Sequence, residues 1–516
     1  MTYSPKQSST VTKTTLRTPE NTSPFSGMCS VCSSNCTGTC EIGLSALRGR
    51  EAIYPYQTDK HQFASEKDYP VDFSHLNING RVFGAIGSNE DPYEATYPKV
   101  KTEKTIGIFN PIKLNLPVIL PAMAKLNWRD YYAGAALAGV LVVIGEDVVS
   151  KDKKLKLENN KVVSSPLIEE MVKEFRKYYR GYGDIVLQAN FDDEYLGVLE
   201  YAVKELGVES VELKFGQAAK GIQGMGMLDS LEDALKFKKM GYIVHPNPED
   251  NTVAEDYKEG KRLKFERIGK LPMWNEKVLI DRVKELRKMG AKRIFFKTGP
   301  FDPSDLLKIL KTASKAEVDM ITFDGAGGGS GNSPVKMMNE WGIPTLEMES
   351  ILYKMLKKLD EENYSLPEIA LAGGIAMEDH VFKSLALGAD YIKMVGIGRA
   401  AMAAAMVGKK VEDILNKDRV PKELQRFGST KEEIFEDFKE LKLHYDENKD
   451  ISGGAVGLYS YLNRIRVGLQ QLMALNRKFN LESIERRDVV PLTDKSKKIT
   501  GLLDYSELMD KVLEEI

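Results

Sequence analysis

All the cysteines of this 516-residue chain, Cys29, Cys32, Cys36 and Cys40, sit in one stretch, CSVCSSNCTGTC. Thiolates are soft metal ligands, and a C-x2-C-x3-C-x3-C spacing brings four of them together in one short loop. Structural zinc sites usually hold two CxxC knuckles apart by a dozen or more residues. A compact loop suits a cubane cluster wrapped closely by its ligands. A 4Fe-4S cluster on the four cysteines is therefore the first expectation, with zinc second. Disulfides and unrelated free thiols rank below both, because a long chain in a reducing compartment needs no staple. An iron–sulfur cluster moves single electrons, so a redox partner is expected elsewhere in the chain.

A second chemistry is written in glycine. Leu371-Ala-Gly373-Gly374-Ile375 and Val395-Gly396-Ile-Gly398-Arg399 each run from an apolar strand-like stretch into a helix-like one. Glycines let backbone N–H groups come close to an anion, and a helix N-terminus adds favourable partial charge. The bland alternative is that these glycines only make tight turns. A third glycine loop, Asp324-Gly-Ala-Gly-Gly328-Gly329-Ser330-Gly331-Asn-Ser-Pro334, is too glycine-rich for a helix. It is expected to let backbone approach a planar ligand or its phosphate. Around these loops stand polar residues at the ends of apolar runs: Gln188, Lys214 and Lys297, with Gln217 and Lys220 just beyond, in VELKFGQAAKGIQGMG. Each alone could be a solvated surface residue; together they point to one mouth.

Something must hold these residues on one face. Between 110 and 400, short β-branched runs alternate with amphipathic helical stretches, as in a parallel sheet covered by helices. Eight strand candidates stand out: Leu116–Pro121, Val140–Gly145, Asp184–Ala189, Ser210–Phe215, Arg293–Lys297, Asp319–Asp324, Glu368–Gly373 and Asp390–Gly396. The count favours an α/β fold of the (β/α)8 TIM barrel type over an open doubly wound sheet. Two long gaps, after Phe215 and after Asp324, read as insertions on the C-terminal face. The expected organisation is an N-terminal extension with the cysteine loop over 1–110, the barrel over 111–405, and a helical region over 406–516. Within the last, Lys409–Glu440 reads as solvated helices, and an apolar glycine-rich stretch, GGAVGLYSYL, precedes a helix over Arg466–Lys478.

Composition excludes several classes. Lys+Arg number 73 against 75 Asp+Glu, with 42% hydrophobic and 29% charged residues, an ordinary soluble balance. No basic stripe suggests nucleic acid. The longest apolar run, Gly134 to Gly145, is too short to span a membrane, and residues 1–27 lack the apolar core of a signal peptide. The expected compartment is cytoplasmic.

Taken together, ELKFGQAAKGIQG, Lys297, DGAGGGSGNSP and LAGGIAMEDHVFKSLALGAD resemble the FMN-binding synthase domain of glutamate synthase. ILPAM at the first strand, IGEDV after the second and the tail LQQLMALNRKFNLESIERRDVV are similar to the same family, so the likeness runs from about Leu116 to Val490. That resemblance implies FMN in the barrel, reducing the 2-iminoglutarate formed from 2-oxoglutarate and ammonia. It implies flavin contacts from Pro121, Ala122, Met123, Glu146, Gln188, Lys214 and Lys297, from Gly328, Gly329, Ser330 and Gly331, and from Gly373, Gly374, Gly396, Gly398 and Arg399. It further implies that Gln217 and Lys220 hold a substrate carboxylate, and that Lys297 stabilises negative charge at the flavin N1/O2 edge. Partners follow: an electron donor or acceptor such as ferredoxin or a reductase subunit, and ammonia arriving free or from a separate glutaminase subunit. The sequence also departs from the family. The amidotransferase domain with its N-terminal cysteine is not seen, and AAMAAAMVG stands where cysteines would bind a 3Fe-4S cluster. Gly327 and Phe301 replace acidic residues. Two other readings follow from those departures: a subunit of an N-methylglutamate-forming complex, or a non-redox binding or assembly subunit.

Overall fold

A computed structural model of the chain describes residues 46–47, 49, 53, 69–122, 127–216, 225–261, 264–328, 333–417, 420–445 and 450–516. Its centre is a closed parallel barrel of eight strands: β1 (Val118–Leu120), β2 (Leu141–Ile144), β3 (Asp184–Ala189), β4 (Ser210–Lys214), β5 (Arg293–Thr298), β6 (Met320–Asp324), β7 (Glu368–Ala372) and β8 (Ile392–Gly396). Each pairs with its neighbour in sequence, and β8 closes onto β1. All eight overlap the stretches read as strands from sequence. Runs such as Leu141-Val-Val-Ile144 are buried throughout, as expected where helices cover one face of a strand and the barrel interior covers the other.

Side chains alternate between those two faces. Ile294 and Phe296 of β5 face the helical shell, whereas Phe295 joins Ile119, Leu141, Val143, Val186, Met320, Ala370 and Met394 in a separate interior core. Counting two residues onward from that core gives Gln188, Lys297, Thr322, Ala372 and Gly396. The period of a strand thus places polar residues above the apolar plug on β3, β5 and β6, and very small ones on β7 and β8. The lower end is closed by an antiparallel hairpin, Lys104–Ile106 with Ile112–Leu114, whose Ile106 and Leu114 complete the interior core.

Five helices matter for the site: α1 (Trp128–Ala138), α2 (Thr345–Glu361), α3 (Glu378–Leu387), α4 (Arg399–Leu415) and α5 (Gly453–Leu475). The glycine-rich stretch expected before the last of these is itself helical from Gly453 onward. Its glycines serve close packing. A Cβ on Gly457 would lie 2.7 Å from the Ala404 carbonyl of α4, and one on Gly454 only 2.1 Å from Asp130 Oδ2 of α1. Each helical glycine costs about 1 kcal/mol relative to alanine, a penalty offset here by the close contact of three helices. Ser452 caps α5 and also donates to Asp130 Oδ1 at 2.5 Å.

The insertion after β4 carries a three-stranded antiparallel sheet (Met225–Leu228, Phe265–Ile268 and Ile243–His245) and two helices over a small core of Leu228, Ala234, Val244 and Phe265. It is tied to the barrel by Arg267, 3.3 Å from Asp147, and by Lys270, 3.1 Å from Asp192. Leu76–Ile78 pairs antiparallel with Val489–Pro491, joining segments near the two ends of the described chain. Among the described residues no helix is long and apolar enough to cross a membrane.

Candidate active site

The upper mouth of the barrel divides into a polar arc on β3–β6 and a bare shelf on β7, β8 and β1. In the arc, Gln188 Nε2 donates to Glu212 Oε1, directly opposite it across β3 and β4. Lys214 Nζ lies 2.5 Å from Glu146 Oε1, which follows β2. Lys297 Nζ is 3.3 Å from Asp324 Oδ2 at the end of β6, an ion pair without hydrogen-bond geometry. These residues are all buried or nearly so.

Several atoms of the arc have no hydrogen-bond partner among the described residues: Gln188 Oε1, Glu212 Oε2, Lys297 Nζ and Thr322 Oγ1. Each buried orphan costs about 1–3 kcal/mol, so a concentration of them on adjacent strands marks a place where something else supplies the partners. Burial pushes the Glu212 carboxyl up, while Lys297, Gln188 and Lys214 pull it back down. Beside the arc, burial and then Asp147 raise the Asp193 carboxyl well above the usual range. Asp193 accepts from the backbone N–H groups of Asp147 and Asn190 and so anchors the loop that carries Glu146.

The shelf is built from backbone. Gly373 and Gly374 adopt φ of 118° and 89°, conformations that favour glycine. Thr345 Oγ1 at the start of α2 donates to the Gly373 carbonyl at 2.8 Å. A Cβ on Gly396 would come 2.7 Å from the Ala372 Cβ, so the β7–β8 wall tolerates nothing larger. No side chain caps the N-terminus of α4 at Gly398 or that of α3 at Met377 among the described residues, leaving backbone N–H groups for an anion. Arg399, the first residue of α4, reaches the Gly327 carbonyl at 3.4 Å, and burial lowers its pKa while Asp324 opposes that shift. The loop after β7 is braced from behind by Tyr461 of α5, whose hydroxyl donates to the Ala376 carbonyl and whose pKa burial pushes up to about 12.

Of the residues singled out from sequence, Glu146, Gln188, Lys214 and Lys297 come together in the arc. Gly328, Gly373, Gly374, Gly396, Gly398 and Arg399 surround the shelf, with Pro121 and Ala122 half-buried just past β1. Met123, Gln217, Lys220, Gly329, Ser330, Gly331 and the four cysteines lie outside the described residues. Among the described residues no cluster of His, Cys, Asp and Glu could hold a metal. Sequence reasoning passed over Glu212, Thr322, Asp324, Thr345 and Tyr461 as site residues. The first three were reachable by counting in twos along strands whose apolar inward residues were already evident. The other two act through backbone carbonyls distant in sequence, for which no motif exists. Phe301, standing where an acid was expected, packs edge-on against Trp341 with ring centroids 5.4 Å apart.

Residues 271–409 match the family described as a conserved region in glutamate synthase. The chain is 28% identical over 122 residues to a glutamate synthase large subunit-like protein, YerD, of Bacillus subtilis, covering 23% of each chain. It is 36% identical over 91 residues to an archaeal-type glutamate synthase [NADPH] of Dehalococcoides mccartyi, 17% of each. The matched stretches thus span less than a quarter of those relatives' lengths. Among solved structures, the recombinant flavin-binding domain of baker's yeast flavocytochrome b2 is similar at a TM-score of 0.45 and 15% identity, covering 85% of this chain and 81% of that one. A soluble mutant of the membrane-associated (S)-mandelate dehydrogenase from Pseudomonas putida is similar at 0.44 and 11%, covering 81% and 88%. From the helix before β5 through most of α4, the half of the barrel that holds Lys297, Asp324 and the glycine shelf matches the conserved region of glutamate synthase.

Proposed function

We propose that the barrel mouth binds FMN and that the chain is an oxidoreductase of the glutamate synthase type, acting on a small oxo, imino or amino acid. The observation that carries this reading is the pairing of orphaned buried polar atoms on β3–β6 with a side-chain-free shelf ending at an uncapped helix. A planar, many-acceptor ring with an attached phosphate needs both surfaces. Gly373, Gly374, Gly396, Gly398 and Arg399 would hold the phosphate, and Gln188 and Lys297 the polar edge of the ring. When bound, FMN supplies hydride acceptance and donation at its ring.

The chain's own residues do the rest. Lys297 presents a fixed cation in a dry site, where a charge is worth far more than in water. Asp324 holds that ammonium against β6. Glu146 holds Lys214 in the same way. Gln217 and Lys220 are the proposed partners of a substrate carboxylate, which they would orient by charge-assisted hydrogen bonds. The four cysteines are proposed to hold a 4Fe-4S cluster exchanging electrons with ferredoxin or a reductase subunit, with ammonia free or supplied by a glutaminase subunit, in the cytoplasm. The spacing of the cysteines supports that part.

One observation favours a second reading of the substrate. Phe301 and Trp341 form an aromatic pair where the family resemblance expects a carboxylate, and Gly327 has no side chain. Both favour a substrate other than 2-oxoglutarate.

The test is an absorption spectrum and flavin assay of anaerobically purified protein, with iron and acid-labile sulfide. FMN near one per chain, reduced and then reoxidised by 2-oxoglutarate with ammonia or by another oxo acid, is the expected result. Protein that stays colourless after incubation with FMN rejects the reading. Zinc without sulfide rejects the cluster alone.

A further inference from the structure

Four orphaned atoms lie on four consecutive strands: Gln188 Oε1 on β3, Glu212 Oε2 on β4, Lys297 Nζ on β5 and Thr322 Oγ1 on β6. Glu212 sits inside this arc and is 1% exposed. No positive group lies within ion-pair distance of it among the described residues, yet Lys297 and Lys214 both act on it through space. Register puts Gln188 directly opposite Glu212, and puts Lys297 opposite Lys214, two residues above Glu212 on the same inward column.

The chemistry of the pair is one-directional. An ionised carboxylate is acceptor-only, so it can take only the N–H side of the Gln188 amide. The amide carbonyl is then the group left for whatever enters the mouth. Beside it stands the Lys297 ammonium, a donor. An acceptor next to a cationic donor complements an edge on which an N–H adjoins a carbonyl, as on the pyrimidine side of a flavin. Without Glu212 the amide is free to turn over and would present two donors beside a third.

We propose that Glu212 is a positioning residue that fixes the Gln188 amide with its carbonyl toward the ligand and, beyond the Asp324 ion pair of Lys297, places a second negative charge in the mouth. This rests on the flavin reading above. A negative charge near the ring disfavours added electron density there, so Glu212 holds down the affinity for reduced flavin relative to oxidised. A purely structural link between β3 and β4 would leave that ratio alone.

Two variants separate the roles. Glu212→Gln keeps a partner for the amide and removes the charge. Glu212→Asp keeps the charge and withdraws it from Gln188. For the parent and both variants, oxidised FMN is titrated and the flavin midpoint potential is measured spectroscopically. Glu212→Gln is expected to bind oxidised FMN within about threefold of the parent, but to raise the reduced-to-oxidised affinity ratio about tenfold, about 30 mV for a two-electron couple. Glu212→Asp is expected to lose about tenfold in affinity for oxidised FMN with the ratio within about threefold of the parent. Should one variant fail to fold, the other decides. A parent that loads FMN but whose variants leave both quantities unchanged, or move them together, overturns the role of Glu212 alone. A parent that takes up no FMN overturns the flavin reading and this inference with it.

Discussion

The two ends of the barrel carry similar residues to opposite purpose. At the lower end Arg293 opens β5, is 2% exposed, and uses every nitrogen on the protein. Its Nη2 lies 2.9 Å from both Asp184 and Glu209, its Nε donates to Ser210 Oγ at 2.7 Å, and its Nη1 to the Asn110 carbonyl at 3.0 Å. At the upper end of the same strand, Lys297 is just as buried and has one ion-pair neighbour and no hydrogen bond among the described residues. Buried charge is tolerated at either end, but Arg293 is complete without help and Lys297 is not. That asymmetry is the physical form of the rule that barrels keep stability at the bottom and chemistry at the top.

If the contrast is right, the largest effect belongs to the satisfied charge, Arg293. Arg293→Met should lower the free energy of unfolding by about 3–5 kcal/mol, because it removes the counter-charge of the buried Asp184 carboxylate, whereas Glu209 keeps Lys292, and it should leave flavin content per folded molecule unchanged. Urea unfolding with a parallel flavin assay measures both. A fall in flavin affinity without a fall in stability would reverse the assignment of the two ends.

Lys297→Gln should do the converse. Flavin affinity is expected to fall about ten- to hundred-fold, or about 1.5–3 kcal/mol, with a smaller change in unfolding free energy than Arg293→Met produces. Fluorescence titration with FMN reads this directly.

A smaller and sharper comparison uses two hydroxyls. Ser210 Oγ is hydrogen-bonded to Asp184 at 2.5 Å and to Arg293. Thr322 Oγ1 has no partner among the described residues. Ser210→Ala should cost about 1 kcal/mol, whereas Thr322→Val should stabilise the flavin-free protein by about the same amount. Equal signs for the two in thermal melts would remove the distinction between a satisfied and an expectant end.

The smallest effect is expected away from the barrel axis. Lys173 and Glu169 form an exposed i,i+4 pair at 2.5 Å, and Lys173→Ala should change stability by less than about 0.5 kcal/mol. A larger loss would mean that surface charge contributes more to this fold than its geometry suggests.

Much of the barrel was legible because each strand is a local pattern. Leu141-Val-Val-Ile144 and Arg293–Lys297 announce themselves by apolar runs bounded by turn residues, and the glycine loops by composition. The sheet inside the insertion was not legible, since Met225–Leu228 and Ile243–His245 are short and half-exposed, and their pairing with Phe265–Ile268 crosses long intervening segments. The 453–457 glycines misled for a related reason: a residue that weakens an isolated helix was chosen for what the neighbouring helices needed.

Residue type, spacing and strand period were enough to determine that this chain closes eight parallel strands, that Lys297 and Gln188 face inward near one end, and that glycine loops follow β7 and β8. These depend on interactions within about ten residues. Only the tertiary structure decided that Glu212 faces Gln188, that Asp324 holds Lys297, and that Tyr461 and Thr345 pin the glycine shelf from behind. Those contacts join segments up to 85 residues apart for the Tyr461–Ala376 bond. Which partner a buried polar atom finds, or fails to find, is settled when the barrel closes and water leaves, a condition that no local stretch of sequence contains.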